Sequence, residues 1–197
     1  MYKILIEGYA RPGSNDSYEA TPTTTLIYSN NKKILVDPGT NKNLLLKALE
    51  KEGLTTKDID VIYLSHYHPD HFLNIRLFPD TPVVDGDLTW IEDREYEHSD
   101  KMIPDTDITI LPTPGHSPEH TSLLLTTDDG VVCIAQDVFW WENGEQETDS
   151  KEDMINYVDP YASDFETLKE SRRKVLDVAD WIIPGHGKMF KNTHRSE

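Results

Sequence analysis

Short apolar runs separated by polar, turn-forming clusters dominate the chain, and only two long segments carry the three-to-four-residue period of an amphipathic helix. Residues 2–9 are β-rich and half alternating, and the Pro/Gly/Ser/Asn stretch at 11–17 predicts a loop. Residues 23–28 and 33–37 predict a hairpin, because β-branched and aromatic residues flank the turn-forming Ser29-Asn30-Asn31-Lys32. Over residues 43–52 a helix gathers Leu44, Leu45, Ala48 and Leu49 on one face, and Gly53 stands where left-handed backbone ends it. The run 61–64 predicts a buried strand that delivers the chain into Ser65-His66-Tyr67-His68-Pro69-Asp70-His71. Further short strands are predicted at 81–84, 108–111, 121–126 and 131–135, the last two joined through Asp128-Asp129-Gly130. Ser163 and Glu166 form a capping-box signature before a second helix with Phe165, Leu168, Val175, Leu176 and Ala179 inward. A final strand, Trp181-Ile182-Ile183, runs into Pro184-Gly185-His186-Gly187.

Size and charge narrow the function classes. A chain of 197 residues without a linker or repeat predicts one domain over 1–197. With 36 Asp+Glu against 19 Lys+Arg, the net charge of −17 repels phosphate backbones and anionic membrane surfaces. The basic residues are mostly lysine, 13 Lys to 6 Arg, which weakens a halophile explanation of the acidity. The single cysteine, Cys133, lies in an apolar run and predicts a packed thiol in a reducing compartment. No apolar run reaches about 18 residues and the N-terminus lacks a basic leader region, so the expected location is the cytoplasm.

Five of the eight histidines, His66, His68, His71, His116 and His186, each follow an apolar β-like run and sit in a Pro- or Gly-containing loop. In an extended segment residues two apart point the same way, so His66 and His68 converge on one metal ion. Pro69 then turns the chain, and Asp70 and His71 supply a carboxylate and an imidazole for a second ion. A shared oxygen ligand completes such a site, and Asp137, directly after the 131–136 run, is placed for it. Two divalent ions are therefore expected, zinc first, with iron or manganese as alternatives.

These motifs, in this order, resemble the metallo-β-lactamase fold superfamily: His66-x-His68-x-Asp70-His71, His116 in Pro-Gly-His, Asp137, and His186 in Pro-Gly-His-Gly. The 175–190 stretch looks like that of short single-domain members known as metallo-β-lactamase-domain-containing proteins. The resemblance implies an α/β fold, a four-layer αββα sandwich of two mixed β-sheets flanked by helices, with the metals at one edge. It implies one ion held by His66, His68 and His116, a second by Asp70, His71 and His186, and Asp137 bridging them. Asp37, in Val36-Asp37-Pro38-Gly39, matches the family's early buried aspartate, expected to hydrogen-bond a ligand loop rather than touch metal.

The expected activity is hydrolysis of a small ester, lactone or thioester by a metal-bridging hydroxide, with Asp70 as the catalytic carboxylate. A phosphodiesterase or nuclease of the same fold is the alternative; it calls for a Lys or Arg cluster, and only Lys188 is near in sequence. An iron-dependent oxygenase or redox protein is a second alternative. Little chain follows His186, so no extension like that of glyoxalase II-type relatives is expected. Tyr67, Trp140, Trp141 and His120 are candidates to wall the pocket, with Trp90 weaker, while His98 and His194 are expected at the surface. The acidic stretch 142–153, six acids and one lysine, predicts a solvated loop, with a position over the active site as the alternative.

Overall fold

A computed structural model describes residues 1–98, 100–146 and 148–195. Seven strands, β1 (Tyr2–Ile6), β4 (Thr24–Ser29), β5 (Lys32–Val36), β6 (Val61–Tyr63), β7 (Val83–Val84), β8 (Leu88–Ile91) and β9 (Arg94–Glu97), form one sheet in the order β1-β4-β5-β6-β7-β8-β9. Five more, β10 (Thr109–Pro112), β11 (Thr121–Thr127), β12 (Gly130–Trp140), β13 (Trp181–His186) and β14 (Phe190–Lys191), form a second sheet in sequence order. A separate hairpin joins β2 (Tyr9–Pro12) to β3 (Tyr18–Thr21). Both large sheets are mixed: β5, β6 and β7 run parallel, as do β12 and β13, and the remaining pairs are antiparallel.

The period-2 geometry of a strand decides what each face buries. Ile27, Ile34, Val36, Val61 and Tyr63 of the first sheet meet Ile110, Leu123, Val132, Ile134 and Ile183 of the second. Their neighbours Leu26, Leu35 and Ile62 point the other way, onto Leu45, Ala48 and Leu49 of helix α1 (Lys42–Lys51). Cys133, Ala135 and Ile182 likewise pack on Leu168, Val175 and Leu176 of α4 (Phe165–Val178), with Met154 and Ile155 of α3 (Lys151–Asn156). Helix, sheet, sheet and helix form four layers. The central strands are thus buried on both faces, which is why they read as unbroken apolar runs.

Local chemistry accounts for most boundaries. Asn30 and Asn31 both adopt positive φ, as the two-residue turn between β4 and β5 requires. Asn41 caps α1 by accepting from the Leu44 amide, and Gly53 beyond its end has φ +70°.

The departures from the sequence reading are informative. Residues 11–17 are not simply a loop, because β2 and β3 pair across them, with Gly13 N–H donating to Ser17 O at 2.9 Å. Ser163 and Glu166 do not form a capping box: Asp164 caps α4 through the Thr167 amide, while the Ser163 hydroxyl donates to Gly115 O. The acidic 142–153 stretch is more ordered than a loop, holding a 3-10 turn at Glu142–Gly144 and the start of α3 behind the Ser150 cap; its Glu147 lies outside the described residues. The hairpin of β8 and β9 and the short β14 were unanticipated. The run at 131–135 extends through Trp140 as β12, which places Asp137 inside a strand.

That strand is irregular where it matters. Its register with β13 shifts on both sides of Gln136, which has φ +47° and donates through Nε2 to Thr23 O. Asp137 fits there only because residue 185 has no side chain: a Cβ on Gly185 would lie 1.7 Å from Asp137 Oδ1. Gly185→Ala is expected to destabilise the protein by about 1–3 kcal/mol in urea denaturation through this overpacking. An unchanged midpoint would contradict that close approach.

Candidate metal centre

The candidate ligands and Asp37 meet at one end of the two sheets. Asp37 follows β5, Ser65 and His66 follow β6, His116 lies between β10 and β11, Asp137 is in β12, and His186 closes β13. His68 and the helical turn α2 (Pro69–Phe72) complete the group, with Pro69 at the first helical position. His71 is therefore on a helical turn and not in an open loop. His66 and His68 precede it in non-helical backbone, and His68 itself is the extended residue at the N-terminus of α2.

Two sets of ligand-type atoms emerge. His66, His68, His116 and Asp137 place one such atom each within 4.8 Å of one another, and so do Asp70, His71 and His186. His116 Nε2 is 2.9 Å from His68 Nδ1 and 3.2 Å from Asp137 Oδ2, and His66 Nε2 is 3.8 Å from that same oxygen. His186 Nε2 is 3.4 Å from Asp70 Oδ2, while His71 Nε2 is 3.6 Å from Asp70 Oδ2 and 3.4 Å from Asp137 Oδ1. Asp137 thus faces both sets. Asp37 also lies near His66 and His71, but both its oxygens are engaged: Oδ1 accepts from Ser65 N–H at 2.9 Å and Oδ2 from Ser65 Oγ–H at 2.6 Å.

The outer hydrogen bonds determine which ring nitrogen carries a proton. His71 Nδ1 donates to Asp37 Oδ2 at 2.8 Å, and His116 Nδ1 to Asp159 Oδ2 at 2.7 Å. His186 Nδ1 donates to the carbonyls of Thr21 and Tyr9 at 2.9 and 3.1 Å. Ser65 Oγ spends its proton on Asp37, so at 2.9 Å it accepts from His66 Nδ1. In all four rings Nε2 is left facing the shared space, as the nitrogen that a proton or an ion can occupy.

These donors fit divalent ions. His66 Nε2 is buried without a hydrogen-bond partner, and His71 Nε2 and Asp137 Oδ1 have only their 3.4 Å contact with each other; an unsatisfied buried polar atom costs about 1–3 kcal/mol. Facing nitrogens at 2.9 Å in His68 and His116 need a proton or cation between them. Nitrogen and carboxylate donors about 2.0–2.2 Å from one tetrahedral ion lie roughly 3.3 Å apart, close to the spacings seen.

A cavity of 290 Å³ opens onto this group, lined by His68, Asp70, His116, Asp137 and His186 together with Trp140, Tyr161, Tyr18, Pro69, Ala10 and Ala20. Trp140 is therefore at the cavity, its ring 6.1 Å from that of His186 and 5.8 Å from Tyr161. The other pocket candidates lie elsewhere. Trp141 packs against Phe139 and Phe190, Tyr67 is 47% exposed and donates to Asp85, and Trp90 is 40% exposed on β8. His120 is buried behind His66, ring centroids 5.0 Å apart, with Nδ1 at 3.0 Å from Thr113 Oγ1; burial first, then His116, pushes its pKa down to about 3. His98 and His194, expected at the surface, are both half-buried: the ring nitrogens of His98 are shielded from solvent, and His194 Nε2 lies against Asp149 O.

Tyr18, Tyr161, Asp159 and Ser65 were missed. Ser65 adjoins the histidine motif, but only the fold shows that its hydroxyl relays Asp37 to His66. Asp159-Pro160 reads as a turn, and its 43-residue separation from His116 carries no local signal.

The profile described as the metallo-beta-lactamase superfamily matches residues 19–108. Metallo-beta-lactamase domain-containing protein 1 of Xenopus laevis is 30% identical over 197 positions, covering 95% of this chain and 80% of that relative. The crystal structure of a metallo-beta-lactamase-like protein from Thermotoga maritima superimposes with TM-score 0.69 at 20% identity, covering 96% of this chain and 98% of that one. AidC, a dizinc quorum-quenching lactonase in complex with a product, N-hexanoyl-L-homoserine, does so with TM-score 0.62 at 18% identity, over 87% of this chain and 74% of AidC. The chain belongs to the metallo-beta-lactamase superfamily. It is a metallohydrolase.

Protons compete for these lone pairs. Burial opposes charging of His116 and His186, but the neighbouring carboxylates together outweigh it, Asp137 with Asp159 for His116 and Asp137 with Asp70 for His186, and both are pushed up to about 9. Below that pH the metal-free rings hold a proton that an ion must displace. Metal affinity is therefore expected to rise with pH through neutrality and level off above about 9, with proton release visible by titration calorimetry in buffers of different ionisation enthalpy. Affinity independent of pH between 6 and 9 would contradict this.

Proposed function

We propose that the protein is a dinuclear metal-dependent hydrolase of a small ester, lactone or thioester. The observation that carries this reading is the cavity: the candidate ligands open onto a 290 Å³ space walled by Trp140, Tyr161, Tyr18, Pro69 and two alanines, with no Lys or Arg among its lining residues. Such walls suit an apolar acyl or ring substrate and add no cationic side chain beside the ions to pair with a phosphodiester. Lys188, the nearest cation in sequence, is exposed and outside the lining. The fold shared with the lactonase AidC supports the same chemistry.

In this reading His66, His68 and His116 hold one ion, Asp70, His71 and His186 the other, and Asp137 serves both. Zinc is the ion best matched to imidazole and carboxylate donors. Divalent ions bound there polarise the scissile carbonyl and acidify water near neutral pH. Ser65, Asp37 and Asp159 keep the imidazoles in the tautomer that can bind. Trp140 and Tyr161 seat the apolar part of the substrate and exclude water from it. Asp70 lines the cavity with its side chain only partly exposed, and orients the attacking water. Water oxygen bonds to the carbonyl carbon, the acyl C–O or C–S bond breaks, and Asp70 carries the proton toward the departing oxygen or sulfur. We place this activity in the cytoplasm, where the buried, unpaired Cys133 is stable as a thiol; among the described residues no helix is long and apolar enough to cross a membrane.

A panel of a chromogenic lactone, a thioester and bis(p-nitrophenyl) phosphate tests the assignment. Acyl turnover with little phosphodiester turnover is expected, and the reverse would overturn it. Asp70→Asn should retain much of its metal and lose about 10²- to 10⁴-fold in kcat. His68→Ala should lose metal as well as rate. Parental turnover in Asp70→Asn, or full occupancy in His68→Ala, would contradict these roles.

A further inference from the structure

The connection between α3 and α4 supplies the part of the cavity wall that carries Tyr161, and it is laced to the loop carrying His116. Ser163 N–H donates to His116 O at 3.0 Å, Asp164 N–H to Gly115 O at 2.9 Å, and the Ser163 hydroxyl to Gly115 O at 3.0 Å. Asp159 is at the centre of this lacing. Its side chain is fully buried; Oδ2 takes the His116 Nδ1 proton at 2.7 Å, and Oδ1 accepts from Tyr161 N–H at 2.9 Å. Buried Arg172 of α4 holds the approach to the same turn, donating to the carbonyls of Val138, Ile155 and Tyr157.

From this geometry we infer that Asp159 is a positioning residue that couples the metal centre to the substrate wall. One carboxylate holds the His116 ring with Nε2 toward the ion and fixes the turn that sets Tyr161 5.8 Å from Trp140. A carboxylate in this position does more than a neutral acceptor. Its negative charge makes the short N–H···O contact stronger and the ligating nitrogen a better donor. Burying that charge is costly unless it is well paired, and His116 is its nearest hydrogen-bonding partner outside its own turn. Fixing His116 on an ion therefore also fixes the Asp159 side chain and, through Oδ1, the backbone of Tyr161. Metal occupancy should order the wall before substrate arrives.

The inference rests on His116 being a ligand, as proposed above, and its test separates the two. Zinc affinity is measured for the parent chain and Asp159→Asn by competition with a chromophoric chelator, alongside the Co(II) absorption spectrum and hydrogen exchange of amides 158–163. Asp159→Asn, which keeps the shape and removes the charge, is expected to bind zinc about 10- to 100-fold more weakly. Its Co(II) bands should shift, and the slowing of exchange at 158–163 that zinc produces in the parent should be lost. Parental affinity, spectrum and zinc-dependent protection in Asp159→Asn would overturn the role of Asp159, even with a lower melting temperature in the metal-free variant. Failure of the parent to bind zinc would instead overturn the metal-centre reading and this inference with it. Should the variant not fold, the zinc-loaded parent still decides: a slowly exchanging His116 Nδ1 proton in nitrogen-correlated NMR is expected, and an unprotonated Nδ1 would refute the contact.

Discussion

Four imidazoles at one end of the molecule have their Nδ1 protons committed to fixed acceptors, and everything else at the site follows from that commitment. The acceptors are Ser65 beside His66, Asp37 after β5, Asp159 before α4, and the carbonyls of Thr21 and Tyr9 in the β2–β3 hairpin. With those protons engaged, the Nε2 lone pairs of His66, His71, His116 and His186 are turned toward a common space that also receives Asp137. His66 Nε2, His71 Nε2 and Asp137 Oδ1 are buried there without a regular hydrogen bond, the last two facing each other at 3.4 Å, and an unsatisfied buried polar atom costs about 1–3 kcal/mol. A fold that keeps such atoms aimed inward is organised for binding cations, which offset that cost.

The two-sheet architecture makes the commitment possible. Because β5, β6, β12 and β13 are buried on both faces, their positions are set by tight packing, and the residues at or just beyond their ends inherit that precision. Two buried non-glycine residues at this end, Asp37 and Gln136, adopt positive φ, a backbone conformation that L-residues rarely take. Gly185 leaves the space into which Asp137 fits. The hairpin of β2 and β3 closes the arrangement from outside, through Thr21 O and Tyr9 O on His186.

Strands and candidate ligands were readable because their signals are local. A buried strand is an apolar run, and His66-x-His68-x-Asp70-His71 is a spacing. Less was readable where the determining partner is distant. Asp164 rather than Ser163 caps α4, since Ser163 is taken by the loop of His116. Trp140 and Trp141 are indistinguishable in composition, yet Trp140 at the end of β12 reaches the cavity while Trp141, the extended residue after it, packs on Phe139 and Phe190. Tyr18 reaches the cavity from the start of β3 and Tyr161 from the irregular connection between α3 and α4, and no periodicity encodes either placement. The weak strands β8 and β9 are exposed and carry little apolar pattern at all.

The net charge of −17 adds a long-range constraint. Polyanionic substrates approach against it, whereas divalent cations are attracted, so surface and centre favour the same ligands. The central claim is that two sets of inward lone pairs, joined by Asp137, hold two ions. Plasma mass spectrometry on protein loaded with zinc and then freed of excess tests it most directly. Close to two zinc per chain is the predicted result; one or none would contradict the account.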